Sequence, residues 1–191
     1  MNLPAMQLET REALYDRLMA ARRGYPLEDT LARILSSWYL GEGAMPQWLG
    51  MGEKAYQAMM AHHFPGIDGY SLMTTRSFIE ADRSDELQDL RKLLMDNRSG
   101  RSDSELRMVE ILIAGCMGSD HLWQDLGLWQ RADLSKLMQD NFAPLALRNN
   151  KDMKWKKFLY KQLCEAEGIY VCRSPSCEVC ADYDNCFGSE E

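Results

Sequence analysis

The segment from Leu106 to Cys116 constrains this chain more than any other, because it is apolar almost all the way round a helical wheel. A helix of that kind has no side suited to water, so other elements must surround it. Ser102 and Glu105 stand just before it at capping-box spacing. The rest of the chain supplies the neighbours as stripes recurring every three or four residues. Leu14, Leu18 and Ala21 form the first, and Leu27, Leu31, Ile34, Leu35 and Trp38 form the second, bounded by Pro26 and Gly41. Tyr56, Met59, Met60 and His63 follow, stopping at Pro65 and Gly66; Leu87, Leu90 and Leu94 come next, behind a cap at Ser84. Shorter helices are predicted over His121 to Leu126 and over Leu134 to Asp140 with Asp133 as cap. A longer one is predicted over Met153 to Glu167, with Trp155, Phe158, Leu159 and Leu163 on one face.

Neither alternating strands nor a fixed-period repeat interrupts this pattern. The predicted fold class is therefore all-α, a multi-helix bundle with an irregular C-terminal cysteine-rich metal-binding tail. Residues 1–168 read as the helical domain and residues 169–191 as the cluster-binding tail. A length of 191 residues suits one domain with a short appended module. The formal net charge of −7 opposes nonspecific nucleic-acid binding by the whole molecule. No apolar run approaches the ~20 residues of a membrane span. Residues 1–10 carry no cationic segment followed by an apolar run, so a cytoplasmic location is expected, where thiols stay reduced.

That expectation gives the cysteines their meaning. Cys116 stands alone, whereas Cys164, Cys172, Cys177, Cys180 and Cys186 fall within the last 28 residues. The final four are separated by four, two and five residues. Thiolates are soft donors for zinc, copper(I) or iron-sulfur clusters, and a short loop can wrap a cluster with no secondary structure of its own. The opening four-then-two interval also occurs in plant-type ferredoxins. Structural zinc sites more often pair two close knuckles, and only Cys177 and Cys180 form one here, yet zinc stays open alongside iron-sulfur on these residues. Three functions share such a tail: a metallocluster carrier, an iron-sulfur electron-transfer protein, and a zinc-stapled helical adaptor.

The run from Met153 through Lys156, Lys157, Phe158, Leu159 and Tyr160 to Cys164, continuing into Cys172, Cys177, Cys180 and Cys186, resembles the NifQ family of nitrogen-fixation proteins. The segment from Cys116 through Gly118, Asp120 and His121 to Asp125 and Gly127 is similar to that family too. These motifs span most of residues 110–188. The resemblance implies a protein that carries a molybdenum-iron-sulfur cluster and donates molybdenum to assembly of the nitrogenase iron-molybdenum cofactor. It also implies two partners, the cofactor-assembly scaffold and the nitrogenase reductase protein; the net charge and the lack of an apolar span lead us to expect no nucleic-acid or membrane partner.

Cys172, Cys177, Cys180 and Cys186 are thus the candidate cluster ligands, with Cys164, Cys116 and His121 as auxiliary candidates. Cys164 falls on the wheel near Lys157 and Lys161, whose charges favour a thiolate. Lys151, Lys154, Lys157 and Lys161 share a face that either attracts an anionic cargo or is simply solvated. Cys116 and His121 flank Gly115 and Gly118, which can break a helix and bring a soft and a borderline donor together, with Asp120 and Asp125 assisting. Against this, Cys116 also continues the Val109 and Ile113 stripe as an ordinary core thiol would. His63 reads as a hydrogen-bonded core histidine and His62 as exposed. No phosphate loop, nucleophile elbow or HExxH motif is present, so no enzyme activity is expected.

Overall fold

A computed structural model describes residues 9–72, 84–166 and 183–188. Among them every regular element is helical, in agreement with the all-α expectation. The tail positions Cys172, Cys177 and Cys180, and the boundary expected at residue 168, lie outside the described residues.

Helices α1 (Arg11–Ala21) and α2 (Glu28–Tyr39) pack as a pair. The Thr10 hydroxyl caps α1 by accepting the Ala13 N–H at 3.2 Å, and Leu14 and Leu18 are fully buried. Helices α3 (Glu53–His63) and α4 (Ser84–Asp96) flank α5 (Ser104–Cys116), as does the 3-10 turn at Gln47–Gly50. Met108, Val109 and all six residues from Ile111 to Cys116 are buried, so the second half of α5 is enclosed as its composition demands, whereas Leu106 is exposed and Arg107 and Glu110 are half-buried. The short α6 (Leu122–Asp125) packs on α5, α7 (Arg131–Asn141) on α6, and α8 (Ala143–Arg148) on α7. Helix α9 (Trp155–Ala166) lies against α4, and α10 (Tyr183–Phe187) ends the described chain.

Two local expectations are corrected, and one helix start is unusual. Leu27, first of its stripe, packs partly buried against the core as expected but sits at the cap of α2 with φ of 72°. The cause is Glu28, whose buried carboxylate accepts the N–H groups of Arg23 at 3.0 Å and Gly24 at 2.8 Å, folding the preceding loop onto the helix start. Ser102 and Glu105 form no capping box, because Asp103 is the cap of α5. Glu105 instead accepts the N–H groups of Gly100 at 2.9 Å and Arg101 at 3.0 Å. The same device therefore opens α2 and α5: a buried glutamate near the helix start satisfies two amides of the incoming loop, at positions four and five residues earlier. Asp133 likewise lies inside α7, where its carboxylate accepts the N–H of Gln130, the actual cap, at 3.2 Å.

Candidate functional site

Cys116 is the last residue of α5 and only 2% exposed, in line with the Val109 and Ile113 stripe. Past it the chain turns through Met117 and Gly118 to His121, which is half-buried and caps α6. The His121 N–H donates to Gln124 Oε1 at 3.3 Å, and its carbonyl accepts the Asp125 N–H at 2.9 Å. The two glycines here act through close approach rather than as helix breakers. Gly115 remains within α5, where a Cβ would meet the Leu126 side chain at 2.7 Å, and a Cβ on Gly118 would overlap the Asp125 carboxylate.

Asp125 is buried, and its fate is decided by α9. The Lys156 ammonium pairs with Asp125 Oδ2 and also donates to the carbonyls of Gly118 at 3.0 Å and Asp120 at 2.7 Å. Asp125 Oδ1 accepts the Asp120 N–H at 3.4 Å. An ammonium has three protons, and here it has three oxygen acceptors. Asp125 is therefore engaged in holding the loop together.

Two residues earlier, Lys154 meets the α10 segment. Its backbone N–H donates to the Cys186 carbonyl at 2.8 Å and its ammonium to the Asp184 carbonyl at 2.8 Å. Cys186 and Phe187 pack against the hydrophobic core. The start of α9, from Lys154 to Lys156, thus holds both the backbone of the last cysteine of the tail run and the loop between Cys116 and His121. Cys164 is placed differently: it lies ten residues beyond Lys154, a rise of roughly 15 Å along the helix. Cys164 and Cys186 accordingly sit toward opposite ends of α9.

These contacts also revise the lysine stripe. Because α9 begins at Trp155, Lys151 and Lys154 precede the helix, and Lys154 is buried. Lys161 lies 3.7 Å from Glu165, while Lys157 is exposed. The exposed basic face is narrower than helical spacing suggested, and the lysine that organises the region, Lys156, was outside that stripe. Its sole sequence signal was its place in the family-like run.

A second buried polar centre lies at the other end of α5. His63 is fully buried, as expected of a core histidine, and its Nε2 is 3.0 Å from the Ser104 hydroxyl. Its Nδ1 faces Glu28 Oε1 at 3.6 Å, beyond hydrogen-bond range. Burial, reinforced by neighbouring His62 and by Arg107, pushes the His63 pKa down to about 4 despite the opposing influence of Glu28. His62 is half-buried rather than exposed, because it stacks on Tyr25 with ring centroids 4.4 Å apart.

Among the described residues, no group of three or more His, Cys, Asp or Glu side chains is arranged to hold a metal ion. The soft donors present there are Cys116, Cys164 and Cys186, with the remaining thiols of the run outside the described residues. Thiolates as a class are soft donors for zinc, copper(I) or iron-sulfur clusters. No helix among the described residues is long and apolar enough to cross a membrane.

A family model described as NifQ matches residues 30–188. Protein NifQ of Azotobacter vinelandii is 46% identical over 170 residues, covering 84% of this chain and 87% of its own. Protein NifQ of Klebsiella pneumoniae is 35% identical over 171 residues, covering 85% of this chain and 99% of its own. The NifQ homolog of Sinorhizobium fredii is 32% identical over 169 residues, covering 87% and 72%. No solved structure matches this chain.

Proposed function

Because this chain belongs to the NifQ family, which supports a general role in handling molybdenum for the nitrogenase cofactor, we propose that it carries an iron-sulfur cargo and donates molybdenum for assembly of that cofactor. Cys172, Cys177, Cys180 and Cys186 are the principal thiolate ligands of the cargo. The observation that carries the reading is that the start of α9 contacts both the Cys186 backbone, through Lys154, and the loop that joins Cys116 to His121, through Lys156. A donor protein needs thiolates that shelter iron and sulfide, together with an accessible side from which the heterometal leaves. Soft sulfur ligands near a borderline imidazole offer both kinds of donor in one neighbourhood. Cys116 and His121 receive molybdenum before or during its placement, and Cys164 is an auxiliary thiol farther along α9.

The reading requires no enzyme chemistry of the chain itself: the metal is cargo, and the residues bind and release it. The partners that follow are the cofactor-assembly scaffold and the nitrogenase reductase protein, neither of which calls for nucleic-acid or membrane contact. Metal and sulfide analysis of anaerobically purified protein tests the proposal. Molybdenum together with iron and sulfide is the expected result. Iron and sulfide alone would indicate an electron-transfer protein, and zinc alone a stapled adaptor. Single serine substitutions at the four tail cysteines should lower iron and sulfide content, and unchanged content in all four would remove the ligand assignment.

A further inference from the structure

We propose that Lys156 is a positioning residue for the cargo, a tethered cation that shapes the Gly118 to His121 loop and holds it beside the terminal segment carrying Cys186. The inference rests on the reading of the chain as a molybdenum carrier and adds a role for a residue that is not itself a ligand. Its basis is the oxygen cage around the Lys156 ammonium, formed by the Gly118 and Asp120 carbonyls and by Asp125. With its three protons engaged, this ammonium has no proton left to bind an anionic cargo, so its part is architectural. Gly118 has to be glycine for the cage to close, since a Cβ there would overlap the Asp125 carboxylate.

The cage joins segments that local interactions leave separate. The Gly118 and Asp120 carbonyls belong to the turn between α5 and α6, where neither has a full helical partner set, and a carbonyl turned inward needs a donor. Lys156 reaches that turn from α9, 36 residues away from Asp120 in sequence. Lys154, two residues earlier and just ahead of the helix, holds the carbonyls of Asp184 and Cys186. The spacing between the loop and the terminal segment is therefore set by two residues of backbone and one lysine side chain. Loosening Lys156 leaves the tail docked through Lys154 while releasing the loop, so the two metals respond differently. Iron, held by tail thiolates, stays; molybdenum, which depends on the Cys116 and His121 side, is lost.

The test uses full-length protein reconstituted anaerobically with iron, sulfide and molybdate. It compares wild type with Lys156→Met and with the double variant Lys156→Met/Asp125→Asn, which leaves no unpaired buried charge. Molybdenum-to-iron ratio is the main readout, and the reaction rate of Cys116 with a thiol reagent in the metal-free chain, followed by peptide mapping, reports loop release independently. The ratio should fall on the order of tenfold in both variants, the scale on which partners orienting a metal ligand act, with iron and sulfide retained and Cys116 labelled faster. A folded double variant with the wild-type ratio overturns the positioning role alone, and so does equal loss of iron and molybdenum. Failure of the wild-type chain to take up molybdenum overturns the functional reading itself, and the positioning role with it.

Discussion

The two ends of α5 each carry a buried polar centre, and they solve the same problem in opposite ways. At the start, His63 lies between Glu28 and Ser104 and stays neutral because burial outweighs the nearby carboxylate. At the end, Asp125 and Lys156 form an ion pair whose lysine side chain is 18% exposed, with two loop carbonyls completing the ammonium's partners. The Cα positions of Ser104 and Cys116 are separated by roughly 18 Å at the helical rise. Both centres join elements distant in sequence, yet only the second touches segments that carry cysteines of the family-like motifs. Burial of a charged or titratable group therefore does not by itself distinguish the two ends. What distinguishes them is which segments the buried group ties together.

The sharpest way to break the contrast is Lys156→Met alone. It leaves Asp125 buried without its cation, so unfolding stability should fall by about 3–5 kcal/mol in urea titration. Lys156→Met/Asp125→Asn should recover a large part of that loss. Failure to recover would mean that the carbonyl contacts, rather than the charge pair, hold the loop.

Acid should distinguish the His63 end. Above the unfolded histidine value of about 6.5, neither state takes a proton, and this contribution is fully present. As pH falls from there toward the folded value of about 4, the unfolded chain binds a proton that the native chain refuses, so stability is lost. The difference amounts to about 3 kcal/mol across that window at most. Urea midpoints at pH 7, 5.5 and 4.5 should show the decline, and His63→Gln should flatten it. An equal decline in that variant would place the acid sensitivity elsewhere.

Ser104→Ala should have a smaller effect, about 1–2 kcal/mol, because it deprives the buried His63 Nε2 of its hydroxyl partner. This change should leave iron and molybdenum contents alone, sharpening the distinction between the ends. Smallest of all should be Glu110→Gln, which weakens the paired contacts of Arg91 to Glu110, both 2.7 Å, along the side of α5. Both side chains are partly exposed, and a loss of about 1 kcal/mol or less is expected in the same urea assay.

The sequence by itself determined the helical class, the enclosure of α5 from Ile111 to Cys116 and, through the resemblance of residues 116–127 and 153–186, the family. These properties depend on residue type and spacing along one chain, where 3.6-residue periodicity and donor chemistry are directly legible. It also marked His63 as a core residue, because a histidine completing an apolar stripe goes where the stripe goes. Helix starts were less legible. Glu28 and Glu105 reach back to loop amides through a chain path that capping patterns do not encode, so neither the left-handed cap at Leu27 nor the absence of a Ser102 capping box follows from spacing. Only the tertiary structure decided that Lys156 is a strut while Lys157, next to it, is exposed. A lysine becomes buried when oxygens from elsewhere compensate its desolvation, and those oxygens, on Gly118, Asp120 and Asp125, lie 31–38 residues away and meet it only after α9 has packed.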